Sequence, residues 1–181
     1  ADTPYIRSFV NGIRQFPYST DRNINPQTFK DVSNYPDQVH APGSVFATML
    51  WDATVAMIND ERHTFAEAKS LMKDYLVAGY KMMPMAPTFT EGRDAILAAA
   101  YANDMEDYKV ILKAFADRGM GVGAESPSRF ATDHQGVVES FETDLATFAV
   151  TSHELNLNYE GLTNGYCSMD GILDKGETGT A

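Results

Sequence analysis

One cysteine, Cys167, occurs in the 181 residues. An intrachain disulfide and a cysteine-built metal site are therefore excluded. Basic residues are also scarce: 14 Lys and Arg stand against 25 Asp and Glu, for a formal net charge of −11. Nucleic-acid binding needs clustered positive charge, so that class is not expected. No polybasic patch suited to a membrane surface is present, and no apolar run approaches the roughly 20 residues that span a bilayer. The chain opens ADTPYIRSF, with neither a basic segment nor the apolar core of a secretory leader.

Catalytic signatures are missing as well. No GxSxG nucleophile elbow occurs. Gly119, Gly121 and Gly123 follow a helical pattern instead of opening one, so they do not form a phosphate loop. A zinc peptidase normally carries HExxH, two ligands one turn apart with a glutamate between them. The nearest string is His153-Glu154-Leu155-Asn156-Leu157, which lacks the second histidine. Pairs such as Asp60-Glu61 and Glu106-Asp107 flank helices and read as solvated charge.

What is present is apolar periodicity. Hydrophobic residues make up 44% of the chain, enough for a real core. A short helix is expected near Tyr5–Ile13, followed by a long irregular stretch. Phe46, Met49, Leu50, Ala53 and Met57 then make one stripe of a helix over 43–60. Ala68, Met72, Tyr75, Leu76 and Gly79 mark a second over 65–82. Thr88 and Glu91 have capping-box spacing for a third, running to about Ala102, with Phe89, Ile96, Leu97, Ala100 and Tyr101 inside. Asp104 opens a fourth, closed by Arg118 as a last-turn cation and Gly119 as its C′ residue. The expected fold class is mainly α. ESPSRFATDHQG reads as a linker, and FAVTSHELNLNYEG as a strand. The expected division is 1–124 helical, 125–150 linker and extended, and 151–181 the start of a β-module.

Of the four histidines, His63 and His134 read as surface residues and His153 as a solvated strand residue. His40 sits where the irregular stretch meets the strongest helix. From the residues alone it has two readings: a group projecting into a cleft, or a structural histidine bonding the loop.

GIRQFPYSTDRNINPQTF and VHAPGSVFATMLWD, followed by PTFTEGRDAIL and ILKAFADRGMGVGA, resemble in order the fungalysin family of secreted zinc metallopeptidases, over about Gly12 to Ala124. The resemblance implies the helical C-terminal subdomain of a thermolysin-like architecture. It implies that the zinc ligands and the catalytic glutamate lie before Ala1, so that the chain alone is inactive. His40 matches the histidine that stabilises the oxyanion, and Arg14 the arginine that contacts the substrate carbonyl. Asp37 is the candidate to orient His40. Implied partners are polypeptide substrates and the upstream zinc-binding subdomain, and the implied location is extracellular. Pro42, Ser44 and Phe46 depart from common family choices without touching His40. The absence of the family's fungal cysteines points to a bacterial member. The tail NGYCSMDGILDKGETG resembles the opening of bacterial extracellular β-modules, where Asp170, Asp174 and Glu177 are candidates for calcium. The alternative function is a non-catalytic helical binding or targeting module.

Overall fold

A computed structural model of the chain describes residues 14–143 and two short strands at 156–157 and 179–180. Four α-helices make the body: α1 (His40–Ile58), α2 (Phe65–Met82), α3 (Phe89–Asn103) and α4 (Met105–Asp117). A 3-10 turn at Phe29–Asn34 precedes them, inside the stretch expected to be irregular. Thr28 and Asp31 form a capping box there. The helix expected near Tyr5–Ile13 lies outside the described residues.

Three of the four helices begin on a side-chain cap. Thr64 accepts from Glu67 N at 3.3 Å while the Glu67 carboxylate accepts from Thr64 N at 2.9 Å. Thr88 and Glu91 repeat the arrangement at 3.3 and 2.7 Å. Asp104 accepts from Glu106 N and Asp107 N. Each cap satisfies amide groups that would otherwise lack an intrahelical partner. α1 starts differently: its N-cap is Val39, whose side chain cannot accept a hydrogen bond. α4 closes on a paired motif, with Gly119 N donating to Ala116 O and Met120 N to Phe115 O. Gly119 takes φ +85°, the left-handed conformation that this closure requires.

α1 packs on α4, and α2 on α3. Val45, Met49, Ala53 and Met57 are fully buried, as are Ile96, Ala100, Ile111 and Phe115. Gly79 lets α2 approach α3 closely: a Cβ there would lie 2.7 Å from Ile96 Cγ1 and 2.9 Å from Ile96 Cα. By length and composition α1 is apolar enough to cross a bilayer, which corrects the expectation that no segment is. Its apolar face is spent on the core. Tyr101 is also a correction. It is 55% exposed and rests edge-on against Tyr108, so the α3 stripe ends at Ala100.

Among the described residues two charged groups are fully buried, one of which, Asp107, reads as solvated in the sequence. Asp107 is inaccessible, held by Arg62, His63 and Tyr75 at 2.7, 2.7 and 2.6 Å. Its charge is tolerated because every contact donates to it. His63 is therefore half-buried instead of solvated. Arg118 is likewise fully buried.

Residues 1–145 form one compact unit. Within it the segment after α4 folds back in hydrogen-bonded contact with the helical body. Gly121 N donates to Ser140 O at 2.7 Å and Ser140 N to Gly119 O at 2.9 Å, while Glu125 and Val138 exchange both backbone bonds. Residues 125–143 are thus a strap tied at both ends, despite a linker-like composition. Residues 146–181 form the second unit, in which strands β1 (Asn156–Leu157) and β2 (Gly179–Thr180) pair antiparallel. The extended reading of FAVTSHELNLNYEG is met at β1. Asp170, Asp174 and Glu177 lie outside the described residues.

Candidate functional site

His40 is the first residue of α1 and is exposed. Behind it the helix is anchored by Val45 and Met49, both fully buried, so the imidazole stands on a rigid base. Within the first turns Ser44 Oγ donates to Ala41 O at 2.7 Å and Thr48 Oγ1 to Ser44 O at 2.9 Å.

The approach to His40 is braced from two sides. On one side, Tyr35 OH donates to the Gln15 side-chain carbonyl, which joins the Arg14 segment to the approach. Tyr35 packs against the core, and burial is the main cause of its raised pKa. On the other side, the strap reaches the same loop. Asp37 N donates to Thr132 O at 2.8 Å, Ser33 Oγ to His134 O at 2.7 Å, and His134 Nε2 lies 2.9 Å from Gln38 O. His134 is thus half-buried and engaged, where a free surface position was expected.

Arg14 is half-buried at the start of the described chain. The structure joins its segment to that of His40 through Gln15 and Tyr35. Asp37 is exposed and sits at φ +56°. The tie it shows is the backbone one to Thr132.

Residues 19–27, which follow Arg14, are gripped by Arg118. Its guanidinium donates to Ser19 O, Asn25 O and Gln27 O at 2.7 to 2.8 Å, and pairs with Asp52. Asn25 adds bonds to Pro17 O and Thr48 Oγ1. Arg22 joins the cluster through Gln27 O and Asp117 O, and burial followed by repulsion from Arg118 lowers its pKa. Sequence reasoning took Arg118 for a helix-end cation and missed this grip. Its position after an apolar stripe gave no sign of partners more than 90 residues away.

A separate apolar cavity of about 250 Å³ is lined by Phe46, Tyr80, Met83, Phe89 and Gly92. Neither His40 nor Arg14 lines it, so it is not the site described above. Among the described residues no group of three or more His, Cys, Asp or Glu side chains is arranged to hold a metal ion.

Comparison with known proteins places these features. Residues 3–124 match the family model for the fungalysin metallopeptidases, M36. The chain is 38% identical over 130 residues to extracellular metalloproteinase MEP of Neosartorya fischeri, covering 65% of this chain and 20% of that protein. It is 35% identical over 137 residues to extracellular metalloproteinase 1 of Trichophyton equinum, covering 67% and 22%. With the same-named protein of Arthroderma otae it shares 35% over 133 residues, covering 67% and 21%. The chain therefore spans about a fifth of the length of these relatives. All three are fungal, so their sources lend no support to the bacterial origin that the missing cysteines suggested. The family model covers two thirds of the chain, so the chain belongs to the fungalysin metallopeptidases.

Proposed function

We propose that this chain supplies the helical C-terminal part of a secreted zinc metalloendopeptidase, in which His40 stabilises the transition state and Arg14 holds the substrate. The observation that carries the reading is His40 itself: an exposed imidazole at the start of a core-anchored helix, on an approach braced from both sides. Secretion is supported by the relatives, which are named extracellular metalloproteinases. The chain carries no HExxH, and in this reading the zinc ligands belong to another part of the enzyme.

As the scissile carbonyl carbon becomes tetrahedral, negative charge gathers on its oxygen. An imidazole N–H from His40 donates to that oxygen, and the bond strengthens as the charge grows. A donor fixed in advance costs no reorganisation at the moment of reaction, and losing one typically costs roughly 2.7–4 kcal/mol. Arg14 offers a fork of N–H donors to a substrate backbone carbonyl and so sets its register. Asp37 accepts from the second ring nitrogen of His40 in this reading.

The test is His40→Ala in the full-length enzyme. We expect kcat to fall about 100-fold or more with bound zinc retained. Unchanged kcat, or zinc lost with the substitution, would remove the proposed role. The purified 181-residue chain is expected to take up no stoichiometric zinc and to cleave no peptide. Chelator-sensitive proteolysis by that chain would overturn the division of labour.

A further inference from the structure

We propose that His134 is a positioning residue for His40, and that the strap 125–143 sets the start of helix α1. The proposal rests on the reading of His40 given above for its effect on catalysis, but its structural part stands alone.

The argument begins with the missing cap. α2, α3 and α4 each start on a side chain that accepts from their first amides. α1 starts on Val39, which has none, and Val39 takes φ −110° and ψ −30°. The start of α1 is therefore not fixed by its own N-cap side chain. The peptide between Gln38 and Val39 is the pivot, because its plane sets the last turn of the approach. His134 Nε2 lies 2.9 Å from the carbonyl oxygen of that peptide. The partner is a carbonyl, so Nε2 carries the proton and donates.

Backbone strain points to the same place. Among the described residues three non-glycine positions have positive φ: Asp37, Ala86 and His134. The strap holds all three. Asp37 N donates to Thr132 O, Arg129 donates to Ala86 O at 2.6 Å, and His134 is part of the strap. Such conformations persist only where surrounding contacts over-determine them. Asp37 lies three residues before His40 and is tied to Thr132 O, while His134 bonds the next residue, Gln38. Ser33 Oγ and the Gln135 side chain close the clamp from either side. The strap begins after residue 124, where the family match ends. The chain thus uses a segment beyond the matched family region to aim a residue inside it.

The experiment compares His134→Phe, which keeps a ring but no donor, with His134→Gln, whose amide can still donate to Gln38 O. In the 181-residue chain, amide exchange at Asp37 and Gly43 should quicken roughly tenfold in the Phe variant, with Met72 and Leu112 unchanged. The His40 ring signals should shift in that variant, and Gln should restore both readouts. Wild-type exchange at Asp37 and Gly43, or equal acceleration across α2 and α4, overturns the proposal. Should the Phe variant fail to fold, Ser33→Ala loosens His134 through its carbonyl and must give the same local pattern, smaller in size. Wild-type exchange there also overturns it.

In the full-length enzyme, His134→Phe should lower kcat roughly tenfold with KM held within about twofold. Added to His40→Ala it should cost nothing further, because it acts through His40. An additional loss in the double variant refutes positioning. If His40→Ala alone leaves kcat unchanged, the catalytic reading falls, and the exchange measurements still decide the role of His134.

Discussion

Arg118 Nε donates to Asp52 Oδ2 at 2.5 Å, and Arg118 Nη2 to Asp52 Oδ1 at 3.3 Å, a two-pronged pair in which the arginine has no exposed surface. Three carbonyls take its remaining donors. A buried charge of this kind is tolerated because all five donors are used. Removing it leaves a carboxylate and three carbonyls without their partner. Arg118→Met should therefore lower unfolding free energy by about 3–5 kcal/mol. Urea denaturation followed by circular dichroism reads this directly, and an unshifted midpoint would contradict the arrangement.

Two helical glycines should respond to alanine with opposite sign. A Cβ at Gly79 meets the backbone of Ile96 at 2.9 Å, which cannot give way as a flexible side chain can. Gly79→Ala should destabilise by about 1–3 kcal/mol through overpacking. Gly43 has nothing within 4 Å of the same position. Gly43→Ala should stabilise by about 0.5–1 kcal/mol, since the unfolded chain loses freedom. Thermal midpoints moving in the same direction would disprove the close approach of α2 and α3.

Tyr75 donates to Asp107 Oδ2 at 2.6 Å. Burial first, and the bond to Asp107 second, raise its pKa above the ordinary 10.0. The folded state therefore holds the phenolic proton more tightly than the unfolded state does. That contribution is complete below the unfolded value and is lost as pH rises above it. Stability should fall as pH climbs past about 10, and Tyr75→Phe should flatten the fall. Tyr35 titrates in the same direction and leaves a residual slope. Parallel curves for wild type and variant would rule out this linkage.

Thr64→Ala and Thr88→Ala each remove a cap whose hydroxyl accepts an amide while its own N–H is met by a glutamate. Each should cost about 1 kcal/mol, and the two should add because they cap different helices. A loss well beyond the sum would show that the helix starts are coupled.

The helices were legible because their signals are local. The 65–82 reading of α2 matches its observed span, since Thr64 and Glu67 form a capping box and Pro84 follows its end. The turn at Phe29–Asn34 was missed although Thr28-x-x-Asp31 carries the same spacing, because two nearby prolines suggested disorder of pattern. Asp107 and Arg118 were misread for a different reason. Their burial depends on partners in distant segments, which periodicity does not encode. At the candidate site, His40 stood out by position and resemblance. The brace from His134 did not, because Gln38 lies 96 residues before it in an unremarkable loop.

The grip of Arg118 also orders events in time. Its bonds to Ser19 and Asn25 close sequence separations of 99 and 93 residues, whereas each helix forms from neighbours. The loop entropy of such closures is recovered only once α1 and α4 have met. The Arg14-bearing segment is therefore expected to dock last and depart first. Arg118→Met should accelerate unfolding while leaving the folding rate of the helical body nearly unchanged.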